Sequence, residues 1–226
     1  MPPSHPPVPV PLPIKLAYTA FVAVLVFYYL PAYGPLNFLY FCDIALITVL
    51  VAMWRTLPLL ASMAAVGILF PQILWMLDYL VRLTTGGHLI ELTEYMFDPK
   101  IPFLLRCLSF FHFWIPVLIY WLVCRWGYDR RAFRWQCLVA CTLLAASYLL
   151  VDTPGGPAGN VNKVFGPDDG STALVDRGLI LGFLLSHRYL WVGLLMLIHC
   201  TLIIGPTHLV LKKFIRPTSP AAPPGL

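Results

Sequence analysis

The residues from Pro58 to Leu83 read PLLASMAAVGILFPQILWMLDYLVRL, and this stretch decides the fold class. It contains no charged side chain before Asp78. An α-helix rises about 1.5 Å per residue, so roughly 20 mainly apolar residues are enough to cross the hydrocarbon layer of a bilayer. The stretch therefore predicts a membrane-spanning helix.

Five further stretches share this length and apolar character. The six predicted spans are Ile14–Tyr33, Leu36–Trp54, Pro58–Leu83, Ile101–Trp126, Ala132–Val151 and Tyr189–Leu211. The composition agrees, because 59% of the 226 residues are hydrophobic and 11% are charged, against about 45–50% and about 25% in soluble domains. We predict an all-α membrane protein, a bundle of six transmembrane helices.

The regions outside the spans are rich in proline or short. Residues 1–13 hold seven prolines and residues 217–226 hold four, which predicts disordered tails on either side of a transmembrane domain at residues 14–216. The apolar run Leu179–Leu185 is too short to cross a bilayer, so we interpret it as interfacial or re-entrant.

Basic residues concentrate on one side of the predicted bundle, which sets its orientation. Nine of them lie on the ends that share a side with the N-terminus: Lys15, Arg55, Arg125, Arg130, Arg131, Arg134, Lys212, Lys213 and Arg216. Because cytoplasmic loops carry the excess of lysine and arginine, we expect both termini in the cytoplasm, and the inner membrane of a bacterium as the location. The absence of a basic cluster outside the helix ends argues against nucleic acid as a partner.

Asp43 and His112 are ionisable side chains well inside predicted spans, where a charge costs a few kcal/mol. Asp43 lies seven residues into the second span, and His112 lies eleven residues into the fourth. Pro116 follows His112 by four residues and withdraws one backbone hydrogen bond from the helix. Each of the two side chains is either a packing contact between helices or part of a functional site.

Other polar residues share the outer half of the predicted bundle. They are Asn37, Asp78, Asn160 and Asn162. Together with Asp43 they predict a polar pocket that opens outward or sideways into the outer leaflet, and we take these four as candidate substrate-binding residues. The alternative is that the acids pair with Arg82 or Arg106 and that the asparagines form turns.

The order of several short motifs resembles the YwaF-like integral membrane family. The motifs are Phe41-Cys42-Asp43, a span broken by Pro71, the sequence Ser109-Phe-Phe-His112 and an asparagine-rich loop, and they cover roughly residues 36–165. Relatives of that family include lipid acyltransferases with a Cys/His pair and lipid hydrolases with a Thr/His pair. The chain differs in having Leu39 and Tyr40 where the family has a histidine.

The resemblance implies Cys42 as the nucleophile and His112 as the general base, with Asn160 or Asn162 matching the family's asparagine. This chemistry is consistent, since a thiolate is the reactive form of cysteine and a neighbouring imidazole produces it. Asp43 would orient His112 and stabilise its charged form. We therefore predict a lipid-modifying enzyme, acting by acyl transfer or ester hydrolysis, with membrane lipids as its partners.

Two other functions fit the same residues. A metal-dependent membrane enzyme would use His112, Asp43, Asp78 and His199 as ligands, although no ligand spacing typical of a metal site occurs. A transporter, a lipid-binding protein or an assembly partner would use the buried Asp43 and His112 without chemistry. The sequence identifies neither a cofactor nor an oligomeric state.

Overall fold

The structure, a computed structural model, describes residues 7–87, 89–151, 159–166 and 187–218. Within these ranges the chain is helical and has no β-strand. One isolated β-bridge joins Tyr128 and Pro217. The segment Leu179–Leu185 and residues 219–226 of the predicted tail lie outside the described residues. The prediction of an all-α membrane protein is confirmed at this level.

Eight α-helices are present in the described ranges: α1 (Leu12–Tyr33), α2 (Phe41–Arg55), α3 (Pro58–Thr85), α4 (Phe103–Ser109), α5 (Phe111–Trp126), α6 (Ala132–Leu150), α7 (Arg188–Ile198) and α8 (Gly205–Phe214). A π-helical stretch, His199–Ile204, joins α7 to α8. Three short 3-10 turns lie at Pro35–Leu39, Glu94–Met96 and Val161–Lys163.

Within the described ranges, five helical segments are long and apolar enough to cross a membrane, so the prediction of six spans is not confirmed. They are Leu12–Tyr33, Pro58–Thr85, Phe103–Trp126, Ala132–Leu150 and Arg188–Phe214. The predicted second span, Leu36–Trp54, is divided by extended backbone at Tyr40 into a 3-10 turn and the 15-residue helix α2. The difference arises because hydropathy does not register a break of one residue inside an apolar run.

Helix α2 runs antiparallel to α1. The Tyr18 hydroxyl donates a hydrogen bond to the Leu46 carbonyl at 3.0 Å, and the Trp54 indole nitrogen donates to the Thr19 hydroxyl at 3.0 Å. The end of α2 therefore lies beside the start of α1, and the start of α2 lies towards the end of α1.

Helix α3 occupies the centre of the bundle, where it packs against α2, α5 and α6. Its first half is buried and rich in small residues, including Ala61, Ala64, Ala65 and Gly67. Small side chains let neighbouring helices approach closely, which compensates for the weak hydrophobic driving force between helices in lipid. At Gly67 an added Cβ would lie 2.5 Å from the Gln136 side chain of α6.

The two ends of the described chain meet at one end of the bundle. The Val8 carbonyl accepts a hydrogen bond from the Trp126 indole at 2.8 Å, and the Tyr128 amide donates to the Arg216 carbonyl at 2.8 Å. Val10 is 3% exposed, so the residues just before α1 pack on the bundle. We call this the basic end, because the predicted cytoplasmic basic residues gather there.

Candidate functional site

Asp43 lies in the first turn of α2, at the end of the bundle opposite the basic end, and it is 3% exposed. The turn Pro35–Leu39 folds back onto α2, so that Asn37 Nδ2 donates a hydrogen bond to Asp43 Oδ2 at 2.9 Å. Asp43 Oδ1 has no hydrogen-bond partner in the described part of the chain. One oxygen of this buried carboxyl group is therefore held by a hydrogen bond, and the other is buried without a partner in the described chain.

His112 follows the short break at Phe110, where α4 ends and α5 begins. Its Nδ1 lies 2.9 Å from the Ser109 carbonyl oxygen, and because a carbonyl only accepts, Nδ1 carries the proton. The lone pair of the neutral imidazole is then on Nε2. The ring is buried against Trp75, with the two ring centroids 4.5 Å apart. His112 is thus held in the tautomer whose Nε2 accepts a proton.

Ser109, whose carbonyl binds His112, also carries a hydroxyl group that contacts α1 and α4. The Tyr29 hydroxyl lies 2.6 Å from the Ser109 hydroxyl, and Ser109 also donates to the Leu105 carbonyl at 3.2 Å. Tyr95, in the turn Glu94–Met96, is half-buried beside Ser109. Burial raises the pKa of Tyr95, the Ser109 hydroxyl lowers it, and Cys42 and Asp43 nearby raise it. Tyr95 therefore bridges the segment after α3 to the residues at the start of α2.

Cys42 is half-buried beside Asp43. Among the described residues, no hydrogen bond joins Cys42 to His112, and none joins Asp43 to His112. Both side chains nevertheless lie near Ser109 and Tyr95: Cys42 lies near Tyr95, and His112 is bonded to the Ser109 carbonyl. Their predicted catalytic roles stay predictions.

Three of the buried polar atoms that lack a partner in the described part of the chain belong to this region: Asp43 Oδ1, Gln72 Oε1 and Trp75 Nε1. Gln72 and Trp75 are three residues apart on α3 and share a face, and α3 packs against the helix that carries Asp43. Buried polar atoms are nearly always hydrogen-bonded, so unpartnered ones mark a place for water or for a polar group of a ligand.

We call the residues of this region the polar cluster: Asn37, Asp43, Gln72, Trp75, Tyr95, Ser109 and His112. Sequence reasoning missed Gln72, Trp75 and Tyr95 as members. A signal was present in Gln72, an amide next to the helix-breaking Pro71 inside an apolar span, and in its spacing of three residues from Trp75.

Asp78, a predicted substrate-binding residue, is 1% exposed and holds the segment that follows α3. Its two carboxylate oxygens accept five hydrogen bonds, from the amides of Leu89, Ile90, Leu92 and Thr93 and from the Thr93 hydroxyl. The shortest, from the hydroxyl, is 2.7 Å. The carboxylate is therefore fully engaged in fixing residues 89–93.

The two predicted asparagines hold the loop after α6. Asn160 donates to the Gly166 carbonyl at 2.9 Å and accepts from the Phe165 amide at 3.0 Å, which closes the loop on itself. Asn162 Nδ2 donates to the Leu39 carbonyl at 2.8 Å and to the Ser147 hydroxyl at 3.1 Å. Asn162 thereby braces the turn that presents Asn37 to Asp43.

The residues proposed for a metal site are spread apart. His199 Nδ1 lies 2.8 Å from the Leu195 carbonyl, and its ring packs on Phe41 with centroids 4.7 Å apart. Within the described ranges, no group of three or more His, Cys, Asp or Glu side chains is arranged to hold a metal ion.

A surface depression of about 340 Å³ adjoins the polar cluster. It is lined by Arg82, Glu94, Tyr95, Phe97, Asp98 and Ile101. Tyr95 belongs to both features, since its ring lines the depression and its hydroxyl end approaches Ser109 and Asp43. The depression therefore shares Tyr95 with the buried cluster.

The chain matches no protein-family model, no curated protein and no solved structure. Its five long apolar helices and its all-helical described part define it as a multi-pass membrane protein.

Proposed function

We propose that the chain crosses the inner membrane of a bacterium six times, with both termini in the cytoplasm. The 15 residues of α2 span about 22 Å, which is most of a hydrocarbon layer of about 30 Å. The antiparallel course of α2 along α1, and the meeting of Val8 with Trp126 and of Tyr128 with Arg216 at the basic end, support an even number of crossings.

The polar cluster then lies in the outer half of the bilayer, where we propose that it modifies a membrane lipid by acyl transfer or ester hydrolysis. The observation that carries this proposal is the set of three unpartnered buried polar atoms on Asp43, Gln72 and Trp75. Leaving such groups unsatisfied inside an apolar bundle is costly. A ligand with an ester oxygen that accepts from Trp75 and with hydroxyl groups that donate to Asp43 and Gln72 would satisfy them.

The proposed reaction begins with proton transfer from the Cys42 thiol to Nε2 of His112, which requires Sγ to come within hydrogen-bond reach of that nitrogen. The thiolate attacks the ester carbonyl carbon, and in this proposal the indole N–H of Trp75 donates to the oxygen that gains negative charge. The carbon–oxygen ester bond then breaks, and the alcohol leaves with the proton from His112. Water or a second alcohol then gives its proton to His112 and attacks the thioester carbon. The carbon–sulfur bond breaks, and His112 returns the proton to the Cys42 sulfur.

The test measures release of fatty acid from phospholipid nanodiscs by the purified protein. We expect Cys42→Ala and His112→Ala each to lower turnover by at least about 100-fold, the usual loss when a nucleophile or a general base is removed. Cys124→Ala and His199→Gln are matched controls, because Cys124 is exposed on α5 and His199 lies outside the cluster. Full turnover in either Cys42→Ala or His112→Ala would contradict the proposed chemistry.

A non-enzymatic lipid-binding protein is the second candidate. It is favoured by the lack of a hydrogen bond between Cys42 and His112 in the described chain and by the structural engagement of Asp78 and Asn162. In that case both substitutions, Cys42→Ala and His112→Ala, would leave lipid retention unchanged, and no turnover would be found in the unaltered protein.

A further inference from the structure

The depression beside Tyr95 combines one cationic and two anionic side chains with two aromatic rings. The guanidinium comes from Arg82 at the end of α3, and the carboxylates come from Glu94 and Asp98 in the segment that leads to α4. Tyr95 and Phe97 supply the rings. A site with both charge signs on a small apolar floor complements a zwitterion, since a phosphate pairs with the guanidinium and an ammonium pairs with the carboxylates and rings.

Arg82 and Glu94 form a long, partly exposed ion pair in the depression, and Arg82 also donates to the Gly86 carbonyl and lies over the Phe97 ring. Arg82 Nη2 lies 3.8 Å from Glu94 Oε1, which is longer than a hydrogen bond. The side chains of Arg82 and Glu94 are 27% and 59% exposed, so both are within reach of a molecule at the surface. A ligand that brings its own phosphate and ammonium can therefore contact both side chains without breaking a strong ion pair.

The segment that carries the acidic side chains is fixed in place. Arg106 Nη1 donates to the Met96 carbonyl at 3.3 Å, Asp98 Oδ1 accepts from the Lys100 amide at 2.8 Å, and Phe97 stacks on Tyr79 with ring centroids 5.2 Å apart. A site formed before its ligand arrives loses less conformational entropy on binding.

The size and the surroundings of the depression limit what it can hold. Its volume of about 340 Å³ lies at the lower end of ligand pockets, which measure about 300–1,000 Å³. That space accommodates a headgroup but not acyl chains. Two exposed apolar side chains are close in sequence to the lining residues: Leu83, after Arg82, is 58% exposed, and Phe103, two residues after Ile101, is 74% exposed. They provide a surface for acyl chains in the bilayer.

We propose that this depression binds the headgroup of a zwitterionic phospholipid that carries a primary amine, with Arg82 on the phosphate and Glu94 and Asp98 on the ammonium. The inference deepens the proposed function, since it names the lipid class whose ester would lie against the polar cluster. Tyr95 connects the two features, because a headgroup in the depression sits on the same tyrosine whose hydroxyl end approaches Asp43.

The experiment measures which lipid the purified protein retains, by native mass spectrometry after incubation with an equimolar mixture of phosphatidylethanolamine, phosphatidylglycerol and phosphatidylcholine with identical acyl chains. We expect phosphatidylethanolamine to be retained about tenfold over phosphatidylglycerol, the factor that one charge-assisted hydrogen bond supplies. The double variant Glu94→Gln/Asp98→Asn should lose this preference. Arg82→Gln should weaken retention of phosphatidylethanolamine and of phosphatidylglycerol, whereas Arg82→Lys should keep retention of these two lipids.

Two matched controls use charges outside the depression. Glu91→Gln removes an exposed acid from the same outer segment, and Arg134→Gln removes an exposed base from the basic end; both should keep the tenfold preference. Equal retention of the lipids by the unaltered protein, or a preference that survives the double variant, would overturn the proposal. Binding of soluble phosphoethanolamine as tight as that of the lipid would overturn the assignment to a membrane lipid.

The readout is independent of catalysis. If Cys42→Ala leaves turnover unchanged while the headgroup preference behaves as expected, the proposed acyl chemistry fails and the headgroup site stands. If turnover depends on Cys42 and the preference is absent, the chemistry stands and this headgroup assignment fails.

Discussion

The basic end of the bundle and the polar cluster at the opposite end satisfy their buried polar groups to different degrees. At the basic end, the Ser62 hydroxyl accepts from the Asp129 amide at 3.0 Å, and the Asp129 carboxylate is bound by Arg131 at 2.8 Å. The Tyr128 hydroxyl lies 2.6 Å from His208 Nδ1. In the polar cluster, Asp43, Gln72 and Trp75 each keep an atom without a partner in the described chain. The difference separates polar groups that hold the fold from polar groups available to a ligand.

The same contrast between satisfied and unsatisfied polar groups occurs between two carboxylates, Asp78 and Asp43, in the half of the bundle that holds the polar cluster. Asp78 is 1% exposed and accepts five hydrogen bonds from its own segment. Asp43 is 3% exposed and accepts one from Asn37, with Oδ1 left open. Burial alone therefore does not identify a functional acid; the number of satisfied acceptor positions does.

Asp78→Asn should have the largest effect on stability. An asparagine keeps one acceptor oxygen and turns an amide group towards backbone donors, so several charge-assisted hydrogen bonds of residues 89–93 are lost. Since each is worth about 1.5–3 kcal/mol and the losses are not additive, we expect a decrease of about 3 kcal/mol in the free energy of unfolding. Denaturant titration of the purified protein measures it. A decrease below about 1 kcal/mol would show that Asp78 does not anchor this segment.

Gly127→Ala should have the next largest effect on stability, and this effect arises at the basic end. Gly127 has a positive φ of 84°, a backbone conformation that favours glycine, and an added Cβ would lie 2.8 Å from the Pro217 carbonyl oxygen. The clash is with backbone, so relief requires the pairing of Tyr128 with residues 216–218 to open. We expect a loss of about 1–3 kcal/mol.

The control for this prediction is Gly193→Ala, because an added Cβ at Gly193 meets nothing within 4 Å and the position is helical. A melting temperature of Gly127→Ala equal to that of the control would mean that the two ends of the chain do not pair as described. Lipid turnover per folded molecule should be unchanged in both variants, since neither touches the polar cluster.

Asp129→Asn should have a smaller and pH-dependent effect. Burial opposes ionisation of Asp129, but the hydrogen bonds and charge of Arg131 outweigh it and hold the pKa of this carboxyl below its usual value. A lowered folded-state pKa stabilises the fold above the unfolded-state pKa of about 3.9, and the contribution is lost as the pH falls through the folded-state pKa.

We therefore expect Asp129→Asn to cost about 1 kcal/mol at pH 7 and to melt like the unaltered protein at a pH below the folded-state pKa. Thermal melts from pH 7 down to about pH 3 measure the difference. A gap between the two proteins that is constant over this range would exclude the carboxylate as its source.

Asp43→Asn should have the smallest effect on stability and sharpens the contrast with Asp78→Asn. The substitution keeps an oxygen for Asn37 to donate to and removes an acid whose second oxygen has no partner in the described chain. We expect a change within about 1 kcal/mol, measured in the same titration as Asp78→Asn. Equal losses in the two variants would remove the distinction between an anchoring and an available carboxylate.

The fold was predictable from the sequence to the level of its apolar helices, because the requirement for roughly 20 apolar residues is a strong physical constraint. The break at Tyr40 was not, since extended backbone at one residue leaves the hydropathy of Leu36–Trp54 unchanged. For the same reason the interruption of the fourth predicted span at Phe110, which positions His112, is visible only in the structure.

The candidate site was predictable in part. Asp43 and His112 were singled out by the cost of polar groups in hydrocarbon. The roles of Asp78 and Asn162 did not follow, because a sequence shows that a side chain can accept or donate but not which backbone group it meets. Trp75 was missed because an aromatic residue in an apolar span has the composition of ordinary packing.

The most direct test of the central claim is a search for an acyl group on Cys42. The purified protein is incubated with phosphatidylethanolamine nanodiscs, quenched in acid and analysed by intact mass and peptide mapping, with and without hydroxylamine, which cleaves thioesters. The account predicts an acyl adduct on Cys42 that hydroxylamine removes and that is absent from His112→Ala. Turnover of the lipid without any adduct on Cys42, or an adduct that forms equally in His112→Ala, would contradict it.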